Sequence, residues 1–474
     1  MAESLEAAAA RRRRKPWRWL VPLVVIVVAL AVGGDYLAVR LTSGDTPPTT
    51  GLSSLWSDDR AGMDCQGPTG TPWTANGLAI MCSGAGLAAV RLGTGSVAWT
   101  WKPPPVPQSV PAVLQLSSGT GGSGVDNGIG VVEYTYGESV SYVIGLRLSD
   151  GHPVWQLPTS VQAAAGTSLW VGGGRLIATT SGPDDSSGSV AAYALSTGAP
   201  DWSDAWTATT PAGCTPQSSV VLGPSVYTIA KCPDSTGSDG DQLYQLSLQT
   251  GTLTAQAPLQ DTSCQLSGGY PTLWAVPGYA LSACNGDSTV LDMVVIPAGG
   301  VQQHSMQWTV KYRDSSSIST LILPPDVAAS GDDLYVSEQI AEPNYQYVQQ
   351  IAAIDLATDT VRWEQTVSMP DEASGSSSTP VDLLGAGPRG VFDLMENVNG
   401  DENSLRVTLA TLAASNGSLS YGPGTVIGMS HGVQPTFALT GHTLLAMPLC
   451  ATGSCLGNAG TGTLTAYNTG SWPS

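Results

Sequence analysis

Apolar and polar residues alternate in short runs along most of the chain, and many runs end at a Thr-Gly turn or a related pair. The segment Val190–Trp202 is typical, because alternating apolar residues lead to Thr197-Gly198 and Trp202 follows four residues after the glycine. Alternation with a period of two indicates β-strands, and a turn pair between two such runs indicates an antiparallel hairpin. We therefore predict a strand, a tight turn and a returning strand in each such segment.

This unit occurs eight times, with its turns at 94–95, 150–151, 197–198, 250–251, 299–300, 358–359, 416–417 and 469–470. Successive turns are 47 to 59 residues apart, which is room for four short antiparallel strands. Repetition at this interval is typical of a β-propeller. We predict an all-β fold, an eight-bladed β-propeller of four-stranded antiparallel blades, with seven blades as the alternative.

An apolar segment before each turn strand is predicted to be the second strand of its blade, for example Arg175–Thr180 before Thr197-Gly198. In the fourth unit Ala255 stands where Trp is expected, and in the fifth Trp308 comes late. The eighth unit stops at Ser474 before a fourth strand. Residues 52–57 are predicted to supply that strand, because a blade built from both chain ends leaves no unpaired edge.

Charge is distributed unevenly along the chain, whose formal net charge is −19. Residues 1–41 contain 7 of the 18 Lys and Arg but only 3 of the 37 Asp and Glu. The remainder therefore has 11 basic and 34 acidic groups, a net charge of −23. Phosphate backbones would repel a body this acidic, so nucleic acids are excluded as partners.

The N-terminal region is predicted to anchor the protein in the cytoplasmic membrane. Residues 1–18 form a basic cytoplasmic tail, 19–41 a transmembrane helix, 42–50 a tether and 51–474 the propeller ectodomain. The basic run Arg11–Lys15 keeps the N-terminus in the cytoplasm, so the propeller lies outside it. The alternative is a cleaved signal peptide and a secreted protein, because Ala29–Ala31 resembles a cleavage site.

All eight cysteines lie in the predicted ectodomain, and their even number is typical of disulfides in an oxidising compartment. In a four-stranded meander, the start of the first strand and the end of the second meet at one edge of the blade. Zinc is disfavoured, because no CxxC is present and no His has finger-like spacing. The predicted pairs are Cys65–Cys82, Cys214–Cys232, Cys264–Cys284 and Cys450–Cys455.

An apolar strand, Thr-Gly or Asp-Gly, and Trp four residues later resembles the repeat of the pyrroloquinoline-quinone-like propellers. This superfamily includes quinoprotein alcohol dehydrogenases and a propeller lipoprotein of outer-membrane protein assembly. The resemblance covers residues 50–474, and it implies that Trp99, Trp155, Trp202 and Trp363 pack between neighbouring blades. The quinoprotein enzymes use a disulfide between adjacent cysteines, a calcium ion and an Asp. This chain has no adjacent cysteines, so we assign no catalytic, cofactor or metal residue.

The predicted disulfides share one face with the long loops, which makes that face the expected binding surface. These loops lie at 181–189, 233–241, 341–347, 397–404 and 451–462. The acidic stretches 234–241 and 397–403 resemble solvated turns more than calcium loops, since neither has EF-hand spacing. We therefore expect a non-catalytic extracytoplasmic propeller, without cofactor, that binds a protein or cell-envelope ligand. The alternatives are a pyrroloquinoline-quinone-dependent oxidoreductase and a sensor ectodomain that works through a partner.

Overall fold

The protein is described by a computed structural model. The structure describes residues 52–58, 73–83, 86–104, 112–119, 124–136, 140–157, 168–181, 188–203, 206, 213–233, 239–259, 272–287, 290–309, 326–341, 347–367, 383–398, 404–428, 434–449 and 464–469. The predicted tail, transmembrane helix and tether lie outside these residues. Within the described ranges, no helix is long and apolar enough to span a membrane.

Eight antiparallel sheets follow one another along the chain, and we number them as blades 1 to 8. The first strand of the chain is β1 (Ser53–Asp58), which belongs to blade 8. Blade 1 contains β2 (Trp73–Ala75), β3 (Leu78–Ser83), β4 (Gly86–Arg91) and β5 (Val97–Trp101). Blade 2 contains β6 (Ala112–Leu116), β8 (Val125–Asp126), β9 (Ile129–Tyr136), β10 (Val140–Arg147) and β11 (Pro153–Gln156), and β7 (Ser118–Gly119) joins blade 3. Blade 3 continues with β12 (Ser168–Gly172), β13 (Arg175–Ser181), β14 (Gly188–Ala194) and β15 (Pro200–Trp202).

The next three blades are regular four-stranded meanders. Blade 4 contains β16 (Thr215–Leu222), β17 (Ser225–Pro233), β18 (Asp239–Ser247) and β19 (Leu253–Pro258). Blade 5 contains β20 (Thr272–Val276), β21 (Tyr279–Asp287), β22 (Val290–Pro297) and β23 (His304–Thr309). Blade 6 contains β24 (Asp326–Ser330), β25 (Asp333–Ala341), β26 (Tyr347–Asp355) and β27 (Thr360–Val367).

The last two blades complete the ring. Blade 7 contains β28 (Leu383–Gly387), β29 (Gly390–Val398), β30 (Ser404–Ala413) and β31 (Leu419–Gly428). Blade 8 contains β32 (Gln434–Thr440), β33 (Thr443–Leu449) and β34 (Leu464–Asn468), and β1 pairs antiparallel with β34. The eight-bladed all-β propeller is thus confirmed, and so is the prediction that residues 52–57 provide the fourth strand of the last blade. Residues 50–474 form one compact unit.

The first strands of the blades lie nearest the axis of the ring, because first strands of neighbouring blades contact one another. Such contacts join β12 to β16, β16 to β20, β24 to β28 and β28 to β32. Blade 3 departs from the predicted four strands at this inner edge. There β7 pairs in parallel with β12, placing Ser118 opposite Trp170 and Gly119 opposite Val171. A short segment between two strands of blade 2 therefore lines the axial edge of blade 3.

Each blade is buried on both faces, which explains why the turn strands contain nearly unbroken apolar runs. In β14, Val190 and Ala192 pack with residues of blade 4, whereas Ala191 and Tyr193 pack with residues of blade 2. Successive side chains of a strand point to opposite faces, so a strand sandwiched between two blades needs apolar residues at every position. The hydrophobic core is therefore a series of layers between blades.

Candidate functional site

One backbone hydrogen bond recurs in all eight blades and fixes how the repeats align. The residue that follows the third strand donates its N–H to a carbonyl in the turn between the first two strands. These donor and acceptor pairs are Leu92–Gly77, Leu148–Gly128, Leu195–Gly174, Leu248–Pro224, Ala298–Gly278, Leu356–Asp332, Ala414–Arg389 and Thr469–His442. We call the donating residue the bracket residue of its blade.

In five joints the carbonyl oxygen of the bracket residue also accepts a hydrogen bond from the preceding blade. The donor is the indole Nε1 of a Trp on the outermost strand of that blade. The pairs are Trp56–Leu92 at 2.8 Å, Trp99–Leu148 at 2.7 Å, Trp155–Leu195 at 2.5 Å, Trp202–Leu248 at 3.0 Å and Trp363–Ala414 at 2.9 Å. The four Trp assigned by the repeat therefore join neighbouring blades, and Trp56 makes the same contact where blade 8 meets blade 1.

The turn glycine of the next blade makes room for the ring in four of these joints, at Gly95, Gly151, Gly198 and Gly417. Gly151 has a φ of 71°, and a Cβ there would lie 2.4 Å from the Trp99 ring. Gly417 has a φ of 67° and would meet the Trp363 ring at 2.5 Å. A left-handed φ and this close approach both require glycine. The Thr-Gly and Trp signals of the repeat are therefore two halves of one joint, contributed by neighbouring blades.

The joint between blades 4 and 5 is built differently, because Ala255 occupies the Trp position. Here Tyr227, on the second strand of blade 4, reaches the bracket region of blade 5. Its hydroxyl accepts a hydrogen bond from Gly299 N at 3.0 Å and lies 3.5 Å from the carbonyl oxygen of Pro297. A buried phenol thus takes over the contact that an indole makes elsewhere.

The joint between blades 5 and 6 contains an ionisable pair instead of Trp and Gly. His304 pairs with Val295, three residues before the bracket residue Ala298, just as Trp99 pairs with Ala89 before Leu92. In blade 6, Asp359 takes the place of the turn glycine with a φ of 55°. His304 Nδ1 lies 3.2 Å from Asp359 Oδ2. The interpretation of Trp308 as a late repeat Trp is wrong, because Trp308 pairs with Leu291 and is buried in the core.

More charged residues surround this joint at the short-turn edge of blade 6. Tyr279 donates its hydroxyl to Asp332 Oδ1 at 2.8 Å. Arg362 lies 2.7 Å from both Asp333 and Asp355, through separate nitrogens. The hydrogen bond from Arg362 lowers the pKa of Asp355, whereas burial raises the pKa of Asp333.

Tyr279 reports the same field, since burial, its bond to Asp332 and the nearby carboxylates raise its pKa to about 12. These aspartates would repel the phenolate anion of Tyr279, so the neutral phenol is the favoured form. The short turns of blades 5 and 6 therefore carry a strongly acidic edge.

The opposite, long-loop face holds the disulfide Cys214–Cys232 of blade 4. Cys214 directly precedes β16 and Cys232 lies near the end of β17, as the meander geometry predicts. The Tyr244 hydroxyl lies 3.4 and 3.3 Å from the two sulfurs, and the Trp206 ring packs edge-on against Tyr244 at 5.2 Å. Burial raises the pKa of Tyr244. The bridge is therefore packed inside the blade and has the environment of a structural disulfide.

An aromatic cluster lies on the same face, where blade 1 meets blade 2. Tyr134 stacks on Tyr142 at 5.0 Å, and Trp101 and Tyr136 pack edge-on against Tyr134, both at 5.7 Å. The Tyr136 hydroxyl donates to the carbonyl oxygen of Pro104, which fixes the segment leaving blade 1. Burial and the two neighbouring phenols raise the pKa of Tyr134 to about 12.

Several predicted features fall outside what the structure describes. Cys65, Cys264, Cys450 and Cys455 are outside the described residues, and so are the side chains of Cys82 and Cys284. Most of each long loop, including the acidic stretches at 234–238 and 399–403, is outside as well. Tyr227, His304 and Asp359 were not identified from the sequence, although the position of His304 four residues after Gly300 and the Asp in place of Gly in the sixth turn were visible signals for the last two.

One family model and several solved structures are similar to this chain. Residues 88–267 match the PQQ_2 family model, described as outer membrane protein assembly factor BamB. No curated protein sequence matches the chain. Similar solved structures include the quinohemoprotein alcohol dehydrogenase from Comamonas testosteroni, with 14% identity, 88% of this chain and 76% of that chain covered, and a TM-score of 0.46. Another is the dihydro-heme d1 dehydrogenase NirN, with 11% identity, 85% and 73% covered, and a TM-score of 0.49. The chain is thus an eight-bladed β-propeller protein, of which residues 88–267 are similar to the PQQ_2 family.

Proposed function

We propose that this protein is a non-catalytic propeller on the outer side of the cytoplasmic membrane, tethered by its N-terminal segment. Its long-loop face would bind a protein or a cell-envelope ligand. The basic run Arg11–Lys15, the apolar stretch after it and the acidic remainder support this placement. The description of the matching family model, which names an assembly factor, supports a binding role rather than turnover.

The proposal rests on the inner edge of blade 3, which a segment of blade 2 covers. A propeller offers a central channel as its natural ligand site. Here the chain itself adds β7 to that edge, and the Ser117 side chain donates to the Val131 carbonyl oxygen at 2.8 Å to fix the segment entering β7. A Cβ on Gly124, at the end of the same excursion, would collide with Ser117. The inner edge of blade 3 is therefore covered by backbone that is fixed by its own hydrogen bonds.

The residues that the structure describes do not fit pyrroloquinoline quinone with calcium. No three His, Cys, Asp or Glu side chains among them are close enough to hold a metal ion. Their disulfide joins cysteines 18 positions apart and is packed against Tyr244, so it is not the adjacent-cysteine bridge of the quinoprotein enzymes. Their charged side chains at the blade 5–6 edge pair with one another. These features favour binding over redox chemistry.

Site-specific photo-crosslinking in intact cells tests which face binds. A photoreactive residue would be placed at Asp185 or Thr236 in the long loops, and at Thr94 or Thr250 in the short turns as matched controls. Thr94 and Thr250 are exposed, so failure to crosslink there would not result from burial. We expect discrete adducts from the loop positions and none from the turn positions. Adducts from the turn positions alone would overturn the assignment of the binding face.

A further inference from the structure

His304 stands where five other joints have the indole of a Trp, and Asp359 stands where the short turn of the next blade has glycine. An indole N–H keeps its proton at every physiological pH, whereas an imidazole changes charge between about pH 5 and 8. The His304 side chain is 45% exposed and that of Asp359 is 29% exposed, so protons reach the pair from solvent. Among the joints that the structure describes, this one links two blades through an ionisable pair.

The surroundings of the pair are acidic, which gives the charge of the imidazole a structural consequence. Among the described residues around the pair, blade 6 presents Asp332, Asp333, Asp355 and Asp359 together with the cation Arg362, and blade 5 presents Tyr279. Arg362 contacts Asp333 and Asp355, and Tyr279 donates to Asp332. The second carboxylate oxygen of Asp359 is buried and has no hydrogen-bond partner among the described residues. His304 is thus the group positioned to balance the charge of Asp359.

We propose that the joint between blades 5 and 6 responds to pH through His304. When His304 is protonated, its contact with Asp359 is an ion pair between an imidazolium and a carboxylate. When His304 is neutral, the contact keeps at most a hydrogen bond from an uncharged N–H, and the imidazole no longer offsets the charge of the four carboxylates. The ring therefore opens more readily between blades 5 and 6 at pH 8 than at pH 5.5. The Trp joints do not change between these two pH values.

Hydrogen exchange of the full-length protein at pH 5.5 and pH 8, corrected for the intrinsic exchange rates, tests this proposal. The peptides to compare cover 293–306 and 351–361 at this joint, and 97–101 with 145–152 at the joint between blades 1 and 2. We expect protection at the blade 5–6 joint to fall by about two- to fivefold at the higher pH, the range expected for a solvent-accessible ion pair. Protection at the Trp99 joint should not change.

Three variants identify the group responsible. His304→Gln keeps a hydrogen-bonding side chain without the charge, so protection should be low at both pH values. The double variant H304W/D359G rebuilds the indole and glycine of the other joints, so protection should be high at both. His152→Gln removes a second imidazole, 3.6 Å from Asp150 within one turn of blade 2, and should leave the wild-type response unchanged. A wild-type joint without pH response, or a response that persists in His304→Gln, would overturn the proposal.

Discussion

Replacing Gly151 by Ala tests the joint geometry most sharply, because two separate costs can be read from the structure. Gly151 has a φ of 71°, a conformation that costs other residues about 1–2 kcal/mol. The added Cβ would also lie 2.4 and 2.6 Å from two atoms of the Trp99 ring. Overpacking of this kind costs about 1–3 kcal/mol. We therefore expect Gly151→Ala to lower the free energy of unfolding by about 2–5 kcal/mol, the sum of these two costs.

Gly128 in the same blade provides the matched control. Its φ is 73°, but a Cβ there would meet nothing within 4 Å. Gly128→Ala should therefore show the backbone cost alone, about 1–2 kcal/mol. In a Trp99→Ala background the clash disappears, so Gly151→Ala should then cost no more than Gly128→Ala does.

Urea unfolding followed by far-ultraviolet circular dichroism gives the four free energies of this double-mutant cycle. A coupling of about 1–3 kcal/mol between positions 99 and 151 is expected from the overpacking cost. Additive effects, or equal costs for the two glycines in the wild-type background, would refute the joint described here.

Three further changes test other parts of the ring. Trp56→Ala should cost less than the roughly 3–5 kcal/mol of a fully buried Trp, because Trp56 is partly buried, but more than Leu55→Ala on the exposed side of the same strand in the same urea assay. Equal effects would contradict closure by β1. Replacing Cys214 and Cys232 together by Ala should cost about 2–4 kcal/mol in urea, and an unchanged midpoint would contradict a structural bridge. The raised pKa of Tyr279 means that the fold favours the protonated phenol, so stability should fall as the pH rises from 10 to about 12. Tyr279→Phe should flatten this part of the pH profile of stability, and an unaltered slope would show that other groups cause the loss.

The repeat could be predicted from the sequence because each unit carries strong local signals. A turn with positive φ favours glycine. The ring that packs on this glycine comes from the preceding blade, where Trp follows the turn by four residues. The closing strand was also predictable, because the eighth unit lacked a fourth strand and residues 52–57 had a suitable pattern. These features depend only on near neighbours in sequence or on counting the repeats.

The exceptions could not be predicted, because they depend on contacts between blades. His304 stands four residues after Gly300, where other units have Trp, but only the contact between blades shows that it faces Asp359. Tyr227 compensates for Ala255 from a different strand, 28 positions earlier in the chain. The strand β7 has two residues, Ser118 and Gly119, and its parallel pairing leaves no alternating pattern in the sequence.

We propose that the ring is used for binding and not for quinone-dependent turnover. The most direct measurement is dye reduction by the purified full-length protein with pyrroloquinoline quinone, calcium and a panel of alcohols. A quinoprotein alcohol dehydrogenase apoprotein, reconstituted in parallel, serves as the positive control. We expect the same dye reduction with and without quinone, and no saturable change in the quinone absorbance. Turnover that saturates with added quinone and requires calcium would contradict the proposed binding role.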